Sequence, residues 1–98
     1  MSEQAQTIAP PAPKVEPPKP KPMKQWKVIV HNDDINSYDH VIRTFMDIIK
    51  MDLKMAFDKT VEVDKKGLSV VKVTHKEEAE FIQERLQSKS LTVTIEPD

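Results

Sequence analysis

The sequence predicts an α+β two-layer sandwich: a three-stranded antiparallel sheet with three helices on one face, in the order β-α-α-β-α-β. Three observations predict it. Three short runs are rich in β-branched residues, three longer stretches carry apolar residues at steps of three and four, and the length suits one small core.

The first strand is Trp26, Val28 and Val30 alternating with Lys27, Ile29 and His31. Asn32-Asp33-Asp34 stops it, since Asn and Asp tolerate turn dihedrals and bond to nearby amides. Asn36 or Ser37 is a candidate N-cap for a helix of three to four turns, with Tyr38, Val41, Ile42, Phe45, Met46 and Ile49 on one face. Asp52 is the next N-cap candidate, opening a shorter helix whose apolar face reads Leu53, Ala56, Phe57, Thr60 and Val61. That helix ends near Asp64-Lys65-Lys66-Gly67, where lysines suit the negative end of the helix dipole and glycine supplies a left-handed stop. Leu68 to Thr74 is the second strand. His75 to Gln87 is the third helix, with Ala79, Ile82 and Leu86 inward and Phe81 close by, and Leu91 to Ile95 closes the chain as an outer strand.

Before these elements the composition is different. Seven of the eight prolines lie between Pro10 and Pro22, and large apolar side chains are nearly absent there. Residues 1–24 are therefore expected to be a disordered, Pro-rich extension with polyproline II character, and residues 25–98 a single domain. Residues 1–23 hold three of the 15 Lys+Arg and two of the 16 Asp+Glu, so the rest carries a net charge of −2.

Several function classes drop out. There is no cysteine for disulfides, thiolate chemistry or a Cys-rich zinc site. No apolar run approaches a membrane span, and the N-terminus lacks a signal-peptide pattern. The charge balance offers no basic stripe for nucleic acid, and one glycine cannot build a phosphate loop. His31, His40 and His75 fall on different elements, so no metal set or cofactor site is expected. Without a paired nucleophile and base either, the chain reads as non-enzymatic. The expectation is a soluble, cytoplasmic, monomeric module.

The most informative segment is the Asn32-Asp33-Asp34 loop between strand and helix. Its oxygens could ligate a cation, act as paired carboxylates, or hold an ammonium; turn formation and helix capping use the same residues. Met46, Met51 and Met55 suit core gaps, and the charges from Lys76 to Arg85 suit a solvated helix face.

From Gln25 to Asp98 the chain resembles the ClpS family, adaptors of the ATP-dependent Clp protease. The stretch WKVIVHNDD, the two helices after it, the Gly-terminated turn, the Val-rich strand and the closing LTVTIE carry the resemblance. The resemblance implies an adaptor that binds destabilising, large apolar N-terminal residues of substrate proteins, the N-degrons, and delivers them to a Clp unfoldase for degradation. It assigns the α-amino group to Asn32, Asp33 and Asp64, with Asp34 fixing the loop. The hydrophobic pocket would comprise Asn36, Tyr38, Val41, Thr60, Val63 and Leu91. Asp64 stands where the family usually has a histidine, and Tyr38 and Thr60 stand in place of its pocket methionines. Asn36-Ser37 replaces its Thr-Pro. Docking to the N-terminal domain of a ClpA-like or ClpC-like unfoldase would use Glu77, whereas Ile82 stands where the family has a lysine. The proline-rich segment corresponds to the family's mobile extension. The alternative is a ClpS-like regulator that binds the unfoldase without recognising N-terminal residues.

Overall fold

A computed structural model describes residues 24–98; the expected disorder of the extension lies, apart from Lys24, outside the described residues. The chain runs β1 (Gln25–His31), α1 (Tyr38–Thr44), a π-helical turn (Phe45–Ile49), α2 (Leu53–Lys66), β2 (Leu68–His75), α3 (Lys76–Gln87) and β3 (Thr92–Pro97). β1 is the middle strand, antiparallel to β2 on one side and to β3 on the other. Val28 and Val30 belong to the core under the helices, and Ile29 between them is buried as well although it lies outside that cluster. The register with β3 is regular, pairing Val30 with Val93, while a bulge between Val28 and Ile29 shifts the pairing with β2.

The helices cover one face of the sheet. Val28, Val30, Val71 and Val93 from the strands join Val41, Phe45, Ala56, Val63, Ala79, Ile82 and Leu86 from the helical layer in one core. The caps fall where local chemistry directs them. Ser37 accepts from the His40 amide at 3.1 Å, Asp52 from the Met55 amide at 2.8 Å, and His75 Nδ1 from the Glu78 amide at 3.3 Å. His75 is thus the N-cap of α3 rather than its first residue. Gly67 ends α2 at φ 89°, its N–H donating to the Val63 carbonyl.

Three expectations need correction. The helix expected through Ile49 becomes α-helical only to Thr44 and then widens into the π-turn, which stops at Lys50 with φ 68°. Met46, Ile48 and Ile49 all pack against the core from this wider turn. The inward face of α2 is Ala56, Thr60 and Val63; Leu53 and Phe57 are 61 % and 47 % exposed. Their size suggested the core, but the smaller Ala56, Thr60 and Val63 are the residues that α2 buries. Finally, β3 starts at Thr92, leaving Leu91 just outside the strand and buried. Of the methionines, Met51 is buried whereas Met55 is 52 % exposed. No helix among the described residues is long and apolar enough to cross a membrane.

Candidate functional site

β1 delivers its last residues to the end of the sheet where α1 begins and α2 ends. The Asn32 N–H donates to the Gly67 carbonyl at 2.9 Å, fastening the strand exit to the C-terminus of α2. Asp34 turns the chain through the left-handed region at φ 64°, a conformation that Asp tolerates better than most residues. The loop is then held through Asp33. Its carboxylate accepts from the Ile35 amide at 3.2 Å, from Asn36 Nδ2 at 3.1 and 3.0 Å, and from Thr92 Oγ1 at 3.1 Å. Asn36 Nδ2 also donates to the Ser90 carbonyl at 2.9 Å.

These bonds have an electrostatic consequence. Partial burial pulls the Asp33 pKa upward, but the bonds from Ile35, Thr92 and Asn36 together outweigh it and hold the carboxyl below its ordinary value. Loop fixing, expected at Asp34, thus runs through the Asp33 side chain; Asp34 contributes its backbone turn.

Between this loop, α1 and α2 lies a cavity of about 230 Å³. Buried Val30, Val41, Thr60 and Val63 form its interior. All four are β-branched and therefore stiff about χ1. The Thr60 hydroxyl donates to the Ala56 carbonyl at 2.7 Å, so its one donor is used within its own helix. Asn32, Asp33, Asp34, Asn36 and Asp64 supply a polar lining with three carboxylates and no lysine or arginine. Such a concave acidic surface favours a cation.

Tyr38 lines the cavity without filling it. Its hydroxyl donates to Asp64 Oδ2 at 2.6 Å, linking the start of α1 to the end of α2. The bond to Asp64, with desolvation and the aspartate's charge, raises the phenol's pKa above the usual value.

The structure thus brings together Asn32, Asp33, Asp34, Asn36, Tyr38, Val41, Thr60, Val63 and Asp64. Leu91 does not join them. At 5 % exposure it belongs to the core cluster, because β3 begins one residue later and the chain buries Leu91 before reaching the sheet. Val30 and His31 line the cavity although neither was expected there. Val30 was legible in principle, as the last inward position before the loop. His31 Nε2 lies 2.7 Å from Thr94 Oγ1, a contact across strands that no local signal announces. Glu77 is exposed in the first turn of α3, away from the cavity, while Ile82 is 5 % exposed and buried in the core. No group of three or more potential metal ligands occurs among the described residues.

Comparison with known proteins gives one consistent result. The family model described as "ATP-dependent Clp protease adaptor protein ClpS" matches residues 21–94. An ATP-dependent Clp protease adapter protein ClpS from Gloeobacter violaceus is 42 % identical over 79 residues, covering 80 % of this chain and 85 % of that protein. One from Synechococcus sp. (strain CC9902) is 36 % identical over 75 residues, covering 76 % and 72 %. Among solved structures, Agrobacterium tumefaciens ClpS2 bound to L-phenylalaninamide aligns with a TM-score of 0.70 at 25 % identity, covering 76 % of this chain and 98 % of that one. With the order of strands and helices shared as well, this chain belongs to the ClpS family of ATP-dependent Clp protease adaptor proteins.

Proposed function

We propose that this chain is a non-enzymatic adaptor that holds the N-terminal residue of a substrate protein, large and apolar, and delivers the substrate to a Clp unfoldase in the cytoplasm. One observation carries the reading: a single cavity joins a stiff apolar interior to an acidic and amide lining. An N-terminal residue has this same duality. Its side chain is apolar, and its α-amino group, with a pKa of about 7.7–8.0, is largely a compact cation with three donors at neutral pH. The ligand of the Agrobacterium ClpS2 structure, L-phenylalaninamide, has both parts.

In this reading Val30, Val41, Thr60 and Val63 receive the side chain, while Asn32 and Asp64 receive the ammonium and Asp33 adds its negative charge from the loop it holds. Asn36 takes part through its bonds to Asp33 and Ser90, keeping the loop against β3. The unfoldase's N-terminal domain, ClpA-like or ClpC-like, docks against the exposed first turn of α3 at Glu77. Ile82 contributes nothing to that docking because its side chain is in the core. A regulator without end recognition would leave the cavity and its carboxylates without a use.

The test is titration of peptides beginning with Phe, Leu, Trp or Tyr, with acetylated and Met-initiated controls. Free amino termini with large apolar side chains bind and acetylated ones do not. Equal binding of acetylated peptides would refute the reading.

A further inference from the structure

We propose that Tyr38 is a positioning residue for the ligand's ammonium: its hydroxyl holds Asp64 by Oδ2 so that Oδ1 receives the ammonium, while Asp33 is reserved for holding the loop. This rests on the proposed recognition of an N-terminal residue.

The inference follows from counting acceptors. A carboxylate has about four lone-pair positions. Asp33 has its two oxygens engaged by Ile35, Asn36 and Thr92, all from its own loop or the adjoining strand. Using Asp33 as the direct ammonium partner means loosening bonds that shape the cavity. Asp64 differs. Among the described residues its only side-chain hydrogen bond is the one from Tyr38, and it forms no ion pair. Its other oxygen therefore has acceptor capacity beside the cavity.

An exposed aspartate in a last helical turn ordinarily samples several rotamers. Here the phenol from the first residue of α1 restrains it, with a bond of 2.6 Å to a charged acceptor. Tyr38 is itself held, since Ser37 caps α1 immediately before it. On the other side, the Asn32 N–H to Gly67 carbonyl bond keeps Asn32 beside the helix end that carries Asp64. An amide oxygen and a pre-oriented carboxylate oxygen thus approach one ammonium from two elements. The proposal also gives the tyrosine a use that an apolar wall residue lacks.

The experiment uses the full chain and a Leu-initiated peptide, titrated against wild type, Tyr38→Phe, Asp64→Asn and the double variant. Tyr38→Phe keeps the ring and should weaken binding about tenfold, as expected for losing a hydrogen bond to a charged group that contacts the ligand. Asp64→Asn should weaken it at least as much, and the double variant should be no weaker than Asp64→Asn alone. Because the chain contains one tyrosine, ultraviolet titration reads Tyr38 directly, and Asp64→Asn should lower the phenol's pKa. A merely structural tyrosine would weaken binding in the Asp64→Asn background too. Wild-type affinity in Tyr38→Phe, additive losses in the double variant, or an unchanged phenol titration would each overturn the proposal. The underlying reading fails separately, through wild type alone, if acetylated and free peptides bind equally.

Discussion

Thr92 Oγ1 donates to Asp33 Oδ2 at 3.1 Å, joining residues 59 positions apart. The first residue of the last strand thereby secures the loop that leaves the first. Cavity and sheet edge are one mechanical unit.

Replacing Asp33 should consequently affect both stability and recognition. Asp33→Ala removes an acceptor used by Ile35, Asn36 and Thr92, and its loss is expected to cost about 1–3 kcal/mol of folding stability. Urea unfolding measures that loss, and peptide titration should show weakened binding in parallel. Unchanged unfolding and unchanged binding together would show that the loop holds its shape without this carboxylate.

The acid response should follow from the same group. The Asp33 pKa is lowered in the folded chain, so its contribution is complete above the unfolded value of about 3.9. It declines as pH falls through the lower folded value. Thermal unfolding followed from neutral to acid pH should therefore show a drop in that window, smaller in Asp33→Asn. Equal acid sensitivity in the two proteins would assign the drop to other carboxylates.

Peptide binding should respond to alkali instead. The ligand's ammonium deprotonates with a pKa of about 7.7–8.0, and the acidic lining then loses its partner. Affinity measured by titration calorimetry should fall as pH rises through that range. A flat profile would mean that binding does not depend on the amine's charge, and a rising one that the amine binds uncharged.

Gly67 is a backbone case. It sits at φ 89°, and a Cβ built on it meets nothing within 4 Å, so Gly67→Ala introduces backbone strain without a clash. The expected loss is about 1–2 kcal/mol. Because the Gly67 carbonyl accepts from Asn32, amide exchange at Asn32 should accelerate as well. Unchanged stability would show that the helix end readily adopts another cap.

The core and the exposed apolar residues should separate cleanly. Leu86 is fully buried, and Leu86→Ala is expected to destabilise by about 2–5 kcal/mol. Phe81, on the same helix, is 55 % exposed; Phe81→Ser should change stability by less than about 0.5 kcal/mol. Comparable losses at the two positions would contradict the burial seen here.

Much of this architecture is legible locally. The alternation from Trp26 to His31 marks β1 because it needs only a period of two. Ser37, Asp52 and Gly67 mark helix ends because a cap is satisfied within three or four residues. Ala79, Ile82 and Leu86 identify the buried stripe of α3 by spacing alone. Local signals mislead at α2, where Leu53 and Phe57 look like core by size. The buried stripe there is Ala56, Thr60 and Val63 instead, set by how α2 is rotated against the core. They also miss the π-turn after Thr44, since its apolar residues fit an ordinary helix equally well.

For the site, residue types near one another in sequence were readable and their division of labour was not. Asn32, Asp33 and Asp34 stand out as a polar loop, but which carboxylate fixes it depends on Thr92, outside that segment. Tyr38 and Asp64, 26 positions apart, become partners only when α1 and α2 pack with those ends together.

The sequence alone determined the order of elements, the caps of α2 at Asp52 and Gly67 and the location of the polar loop, because periodicity and capping are satisfied among near neighbours. Tertiary structure decided that β1 is central, that Leu91 leaves the pocket for the core, and that Tyr38 meets Asp64. Burial and acceptor occupancy depend on everything packed around a residue, and most of those neighbours are remote along the chain.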